Sequence, residues 1–325
     1  MKVNKYILIF IFYFVILSAR ASEDLLYFEA QGIAGYSSLE DEVIYRSGSK
    51  YDAMQRSSIG IDYVQKISSE TKELGTFALQ ARLAYDDYQH NAELQIYNAY
   101  LKGKSPIGDF WIGHDRIAFG LGSYLDTHGD LLQPLSMYGF GFDRDWGVGF
   151  SKDTERGNFK LALTTGSGMP LKINGNKILT SRISHGILNS DNYTVGLSAM
   201  FGEILDTMGY KVLNDEPKDV WLVGGDLAVN TYNIEHKFEI AIGEKNSNST
   251  FAGLYRLSFN FLEENKLKLE FQPTYTKKEK DENYILGSGV GYLLNQDITT
   301  RFMYEHSNNT NDNRYIFQIY YYFSL

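Results

Sequence analysis

Few residues in this sequence have a type and spacing that suit chemistry on a substrate. The chain has six His and no Cys, which excludes thiol nucleophiles and Cys-ligated metal sites. His306 and Ser307 are adjacent beside the predicted last strand. Neighbouring side chains of a strand point to opposite faces, which is poor geometry for a base and its nucleophile. His114, His128 and Asp130 could be metal ligands, but no His cluster has ligand spacing. We therefore expect no enzyme, no metal site and no cofactor.

Charged and amide side chains instead recur at every second position. In segment 77–86, Phe77 and Leu79 share one face, whereas Gln80 and Arg82 lie on the other. A period of two predicts a β-strand with one apolar and one polar face. The same alternation appears in segments 232–243, 250–262 and 315–325.

The last segment is rich in aromatic residues. One face carries Tyr315, Phe317, Ile319, Tyr321, Phe323 and Leu325. A soluble β-sandwich would bury this face against a second sheet, whereas a membrane barrel presents it to lipid, with aromatic residues at both interfaces. The chain has 25 Tyr, 20 Phe and a mean hydropathy of only -0.29. Alternation between a lipid face and a water face explains how so aromatic a chain can be hydrophilic on average.

The first 21 residues have the pattern of a secretory signal peptide. Lys2 and Lys5 precede an apolar run at 6–17, and residues 19–21 (Ala-Arg-Ala) form a small-x-small cleavage site. Cleavage would remove three cations and no acid, which takes the formal charge from -9 to -12. So acidic a chain is a poor candidate for binding nucleic acid. We expect one mature domain, residues 22–325.

Fifteen polar connectors separate sixteen candidate strands. The connectors tend to alternate between short ones, such as 263–265 and 294–296, and long ones, such as 118–143 and 203–219. Outer-membrane barrels have an even number of strands, with short turns at one end and long loops at the other. The sequence therefore predicts an all-β transmembrane antiparallel barrel. Sixteen strands fit best, and fourteen or eighteen are the alternatives.

On these features the chain resembles the Gram-negative outer-membrane porins. In general porins the loop after the fifth strand folds into the barrel and narrows it. The connector 118–143 follows the fifth predicted strand and is rich in glycines, apolar residues and acids. The resemblance implies that this loop is folded into the lumen. It also implies a place in the outer membrane, contact with outer-membrane lipid and a homotrimer as the assembly.

Under this interpretation the polar faces of the strands line a water-filled pore. The wall and the loop would face each other with opposite charges, and poor screening by a low-dielectric wall would produce a transverse field. The predicted constriction consists of Arg56, Arg82 and Arg116 on the wall and Asp126 and Asp130 on the loop. The other predicted pore-lining residues are Glu29, Gln31, Asp62, Gln80, Glu93 and Gln95. The acidic mature chain predicts a mild preference for cations.

The predicted function is passive diffusion of small hydrophilic solutes and ions through a porin-like channel. One alternative is a substrate-selective channel, for example for oligosaccharides, with Tyr97 and Tyr124 as the residues that could stack on a sugar. A second is an outer-membrane lipid hydrolase, because the stretch around His306 and Ser307 is similar to the His-x-Ser stretch of lipid A deacylases and phospholipases. The residue between His and Ser is missing in this chain. A third is a structural barrel with a plugged lumen.

Overall fold

The computed structural model describes residues 24–44, 55–86, 90–126, 129–279 and 281–324. The predicted signal peptide lies outside the described residues. Within these ranges seventeen strands form one antiparallel sheet, and sixteen of them close a barrel because β1 pairs with both β3 and β17. The seventeenth, β2, has three residues and pairs with the end of β1. The prediction of a sixteen-stranded barrel is confirmed.

The strands are ordered around the barrel as they are along the chain. Neighbouring barrel strands are therefore consecutive in sequence, except for β1 and β17, which pair to close the barrel. Their bounds are β1 (Asp24–Ser37), β2 (Glu42–Ile44), β3 (Ser58–Ser68), β4 (Glu73–Asp86), β5 (Asn91–Ser105), β6 (Gly108–Arg116), β7 (Arg144–Thr154), β8 (Gly157–Thr164), β9 (Lys177–His185), β10 (Tyr193–Met208), β11 (Lys211–Thr231), β12 (Ile234–Lys245), β13 (Asn248–Phe261), β14 (Leu267–Lys278), β15 (Asp281–Leu293), β16 (Ile298–Ser307) and β17 (Asp312–Ser324).

The two ends of the barrel differ in their connections. We call the end that carries Asp24 and Ser324 the terminus end, and the other the loop end. Turns at the terminus end are short, such as 106–107, 155–156 and 232–233. The loop end carries the long connector (117–143) and a second connector of twelve residues (165–176). Such asymmetry is typical of outer-membrane barrels.

One predicted connector is a strand hairpin instead. The sequence of 203–219 predicts a loop, but β10 and β11 continue through it and turn at 209–210. Pairing with β9 ends at Glu203 and pairing with β12 begins at Val220. Residues 204–219 therefore stand beyond the barrel wall, and we call them the projecting hairpin. Its second strand is polar (Asn-Asp-Glu-Pro-Lys-Asp at 214–219). Here β11 pairs with β10 alone and not with β12, so this part of the strand has little apolar surface to bury and its sequence resembles that of a loop.

The sheet has an apolar outer face and a largely polar inner face. On β10, the side chains of Leu197 and Phe201 are 65% and 70% exposed, whereas Ser198 and Met200 are buried. A closed ring of exposed apolar side chains would be unfavourable in water and matches the hydrocarbon of a bilayer. The fold is therefore that of a membrane barrel.

No helix among the described residues is long and apolar enough to span a membrane.

The main apolar cluster lies on the inner face of β9–β13. There the long connector packs Phe119, Leu121, Leu135 and Phe140 against the wall. The wall contributes Ile178, Met200, Val220, Leu222, Ala241, Ala252 and Leu254, and the base of the projecting hairpin contributes Ile204. Burial of apolar surface on both partners stabilises this path of the connector. Each Å² of apolar surface removed from water contributes roughly 25 cal/mol.

Gly120 shows how closely the connector approaches the wall. Its φ is +58°, which disfavours other residues, and a Cβ at this position would collide with the Glu239 carboxylate. The same carboxylate accepts a hydrogen bond from the backbone N–H of Leu121 at 3.2 Å. Glycine is thus required here both for the backbone conformation and for the space.

Candidate functional site

The predicted pore-lining residues of β1, β4 and β5 belong to one hydrogen-bonded network. Gln80 Nε2 donates to Glu29 Oε2 at 3.3 Å, and Asn98 Nδ2 donates to Gln80 Oε1 at 2.8 Å. Arg144 Nε then donates to Asn98 Oδ1 at 2.8 Å. The chain of bonds connects four strands, so these polar side chains are held in place rather than free to rotate.

Two predicted arginines pair with acids of the wall. Arg82 Nε donates to Gln95 Oε1 at 2.8 Å, and its Nη1 lies 3.8 Å from Glu29 Oε1. The sequence predicts Arg82 opposite the connector acids, and it does not reveal these wall partners. Arg56 immediately precedes β3 and is fully buried. Its Nη1 lies 3.0 Å from Glu93 Oε2 and 3.2 Å from Asp86 Oδ2.

Gln31 and Asp62, two further predicted pore-lining residues, form hydrogen bonds with side chains of β17. Gln31 Oε1 accepts from Gln318 Nε2 at 2.8 Å, and Gln31 Nε2 donates to the Arg56 carbonyl at 2.7 Å. Asp62 Oδ2 accepts from the Tyr322 hydroxyl at 2.8 Å. These bonds cross the seam where the first and last strands close the barrel.

The two connector acids face arginines from different parts of the wall. Asp126 Oδ1 lies 3.0 Å from Arg116 Nη2 and 3.7 Å from Arg144 Nη2. Asp130 Oδ2 lies 3.2 Å from Arg256 Nη1 on β13. Arg116, one of the predicted wall arginines, thus contacts a connector acid, whereas Arg144 and Arg256 are partners that the sequence did not reveal. Arg256 lies on the polar face of a predicted strand, so the alternation alone could have found it.

Asp143 and Asp145 flank Arg144, so either acid could pair with it. Asp143 does so, and it also accepts a hydrogen bond from the Tyr97 hydroxyl at 3.1 Å. Asp145 instead accepts hydrogen bonds from backbone N–H groups of the second connector, at Gly166 (2.5 Å) and Gly168 (3.0 Å). The two neighbouring acids therefore hold different parts of the loop end.

A further buried ion pair, Arg182 with Asp226, was not predicted. Arg182 Nε and Nη2 donate to the two Asp226 oxygens at 3.0 and 2.7 Å, a bidentate geometry. The Tyr124 hydroxyl donates to Asp226 Oδ1 at 3.2 Å, and the Arg182 guanidinium lies 4.4 Å from the Tyr124 ring centre. Burial and the Asp226 charge raise the pKa of Tyr124, so its hydroxyl stays protonated as a donor.

Arginines cover both aromatic residues that the sequence suggested for sugar stacking. Arg182 lies over Tyr124, and the Arg144 guanidinium lies 3.7 Å from the Tyr97 ring centre. A sugar would have to displace an ion-paired arginine to stack on the covered face of either ring. These contacts make Tyr97 and Tyr124 structural parts of the charged network.

The long connector is also tied to β14 and β16. Gln272 Nε2 donates to the Gln133 carbonyl at 2.8 Å, and the Tyr138 hydroxyl donates to Glu305 Oε2 at 3.3 Å. Burial and the Glu305 charge raise the pKa of Tyr138 well above its ordinary value. The connector is thus bound to the wall by polar contacts as well as by its apolar cluster.

Space remains on both sides of the connector. A cavity of about 550 Å³ at the loop end is lined by Tyr138, Asp206, Lys245 and Asn309, among others. Toward the terminus end, a cavity of about 300 Å³ lies against β5–β8 and one of about 260 Å³ against β14–β16. A separate cavity of about 20 Å³ lies between Tyr97 and Pro134. The smallest of these four spaces therefore lies where the connector faces the polar wall.

The projecting hairpin reaches the opposite side of the loop end. Lys211 Nζ lies 2.9 Å from Asp86 Oδ2 on β4, and the Tyr210 hydroxyl donates to the Ile96 carbonyl on β5 at 3.3 Å. Four strands separate β5 from β10 around the barrel. Burial raises the pKa of Tyr210 to about 12. The hairpin therefore spans part of the loop-end opening.

The predicted hydrolase pair has the geometry expected of adjacent strand residues. His306 Nδ1 lies 3.0 Å from Asn313 Oδ1, and Ser307 Oγ donates to Asn283 Oδ1 at 3.0 Å. Ser307 is buried, whereas His306 lies on the other face of β16. The two side chains thus bond to different partners, and this arrangement does not join a base to a nucleophile.

The structure does not bring the suggested metal ligands His114 and Asp130 together in a metal site within its described residues. In the described ranges, no three His, Asp or Glu side chains are grouped to hold a metal ion. His114 is buried and its ring lies 4.8 Å from that of Trp146, centre to centre. His128 lies outside the described residues. Asp130 pairs with Arg256, as described above.

Solved structures with the same architecture are outer-membrane proteins. The anion-selective porin of Comamonas acidovorans matches with a TM-score of 0.66 at 9% identity, over 94% of this chain and all of that one. OmpF of Salmonella typhi, solved with daunomycin, matches with a TM-score of 0.65 at 12% identity, over 93% of this chain and 97% of that one. The fold is porin-like. OmpT of Vibrio cholerae, an outer membrane protein, matches this porin-like fold with a TM-score of 0.61 at 12% identity, over 94% and 99% of the two chains.

No protein-family model matches the sequence, and no curated protein sequence matches it. At 9–12% identity the solved structures establish the outer-membrane barrel fold alone.

Proposed function

We propose that the protein is a channel through which small hydrophilic solutes and ions diffuse passively across the outer membrane. The observation that carries this proposal is the pair of connector acids, Asp126 and Asp130, which face wall arginines with open space toward both ends of the barrel. A channel needs such a wet, charged passage and no catalytic group. The terminus end faces the periplasm, as short turns do in barrels of this class.

The long connector sets the width of this passage. Its main apolar cluster holds it against β9–β13, and a second one, with Leu131 and Leu132, holds it against β1, β16 and β17. The polar wall of β3–β7 faces it across a small cavity beside Tyr97. Opposed charges on the two sides orient dipolar solutes and favour them over apolar ones, because apolar solutes would displace ordered water without replacing its hydrogen bonds. The mature charge of -12 adds a mild preference for cations.

The assembly is proposed to be a homotrimer. The support comes from a structural neighbour, since one form of Vibrio cholerae OmpT is described as a trimer form, with a TM-score of 0.60 at 11% identity.

Swelling of liposomes that contain the refolded protein tests the proposed diffusion. We expect swelling in isotonic solutions of small sugars, with rates that fall steeply as the sugar grows. A barrel with a plugged lumen would give no swelling with any sugar. A channel selective for one sugar would give rates that do not follow size.

A further inference from the structure

The cavity against β5–β8 has an unusual lining for a passage of balanced charge. It measures about 300 Å³ and lies between the inner face of the wall and the long connector. Aromatic side chains line it, among them Tyr100, Trp111 and Tyr124. Three cations and one acid line it as well: Lys102, Arg116, Lys160 and Asp115.

The wall is shaped to place the Trp111 indole inside. Phe110 and Ile112 are exposed on the outer face, and Trp111 between them is buried on the inner face. Its strand partner on β7 is Gly149, and a Cβ at that position would collide with the indole. Glycine on the neighbouring strand therefore makes room for a large aromatic surface at the cavity.

The two lysines of this cavity lack the acidic partners that some other inner-face lysines have. Lys160 Nζ donates to the Ser123 carbonyl, and Lys102 Nζ lies 5.4 Å from the Tyr100 ring centre. Within the described part of the chain, no carboxylate lies within ion-pairing distance of either lysine. By contrast, Lys237 and Lys268 each have a carboxylate within 3.2 Å.

The other charged groups of the cavity offset these lysines only in part. Arg116 pairs with Asp126, and Asp115 is the one acid among the lining residues. The cavity therefore holds two ammonium groups, against one acid, in a partly desolvated space. Charges in such a space attract a counter-ion more strongly than they would in water.

We propose that this cavity is a binding subsite for small aromatic carboxylates in transit. The carboxylate would lie between Lys102 and Lys160, and the ring would pack on Tyr100 and Trp111. A volume of about 300 Å³ is at the lower limit of small-molecule sites, which suits one ring rather than a chain of sugars. The inference rests on the proposed channel function and deepens it, since it names a class of solute that would pause in the passage.

Benzoate binding to the purified full-length protein in detergent tests this subsite by titration calorimetry. We expect benzoate to bind, and benzylamine, which has the same ring with a positive charge, not to bind. The double variant Lys102→Gln/Lys160→Gln should bind benzoate at least tenfold more weakly. Lys104→Gln is the matched control, because Lys104 lies on the same strand but is exposed and pairs with Glu73 at 2.8 Å. It should bind like the parent protein.

A separate variant tests how much the packing of the benzoate ring on Trp111 contributes to binding. Trp111→Leu should weaken benzoate binding while it leaves the lysines in place, and acetate should bind more weakly than benzoate to the parent protein. Should the double lysine variant not fold, Lys102→Gln alone must lower benzoate affinity severalfold. Equal binding of benzoate and benzylamine, or unchanged binding in the lysine variants, would overturn the subsite.

The outcome separates the subsite from the channel. Solute passage in liposomes without benzoate binding would overturn the subsite alone. Benzoate binding by a protein that passes no solute would overturn the channel and leave the subsite standing.

Discussion

The two sides of the barrel interior are built from different side chains. On β1, β3–β5 and β17 the inner face carries a polar network in which Glu29, Gln80, Arg82 and Gln95 are buried and hydrogen-bonded. On β9–β13 much of the inner face is apolar and is covered by the long connector. The difference shows how one closed sheet can both hold a loop and present a polar wall. The apolar side is the main seat of the connector, which also packs Leu131 and Leu132 on apolar residues of β1, β16 and β17. In the proposed channel, the polar wall lines the passage.

Removal of Asp226 should cause the largest loss of stability. Arg182 is buried beside the apolar seat, and its bidentate partner compensates its charge. Asp226→Ala would leave that charge unpaired, which typically costs about 3–5 kcal/mol. We expect a marked fall in the free energy of unfolding, measured in urea with folded barrels assayed by their gel mobility.

The matched control for Asp226→Ala is an exposed ion pair. Glu73→Gln breaks the pair with Lys104, in which both side chains are more than a third exposed. Exposed pairs contribute about 0–1 kcal/mol, so the urea midpoint should hardly move. Equal losses of unfolding free energy in Asp226→Ala and Glu73→Gln would show that the Arg182–Asp226 pair stabilises the barrel no more than the exposed pair does.

Truncation of Leu135 should loosen the connector from its seat. This side chain is fully buried in the apolar cluster, and a buried Leu→Ala change costs about 2–5 kcal/mol. We expect larger and noisier single-channel currents, because the connector leaves its place more often. Leu197→Ala removes the same atoms from the exposed outer face of β10 and should leave the current unchanged. Unchanged currents in Leu135→Ala would contradict the role of the seat.

Loss of the Lys211 ammonium should have the smallest effect. Lys211 ties the projecting hairpin to Asp86 on the polar side, so the hairpin joins the two regions. Lys211→Gln should speed hydrogen exchange in residues 204–219, since partly exposed pairs contribute on the order of 1 kcal/mol or less. Lys172→Gln, which breaks a more exposed pair with Asp215 on the same hairpin, serves as the comparison. A faster exchange in Lys172→Gln than in Lys211→Gln would argue against a tie across the opening.

The same contrast between the two sides explains which parts of the fold could be predicted from the sequence. The alternation of apolar and polar side chains is clear where the inner face is polar, as in 77–86. It weakens at 176–187 because Ile178 on the inner face and Leu179 on the outer face are both apolar. The run Val220, Trp221, Leu222 and Val223 is apolar throughout for the same reason. A strand covered by the connector inside and exposed outside loses its polar face, and with it the period of two.

The candidate site could be predicted only in part. Charge type and strand face located Arg82 and Gln95, because both depend on local alternation. The partners could not be predicted, since Arg256 meets Asp130 across 126 residues and Lys211 meets Asp86 across 125. Such pairs depend on how far the connector and the projecting hairpin extend across the barrel. No local pattern encodes that distance.

A charged, water-filled passage between the connector and the polar wall is the central proposal. Single-channel recording of the refolded protein in a planar bilayer with a salt gradient tests it most directly. We predict discrete current steps and a zero-current potential of the sign that indicates cation preference. Replacement of both connector acids, Asp126→Asn/Asp130→Asn, should shift that potential toward anions. A bilayer that shows no steps, or a clear anion preference in the parent protein, would contradict the proposed passage.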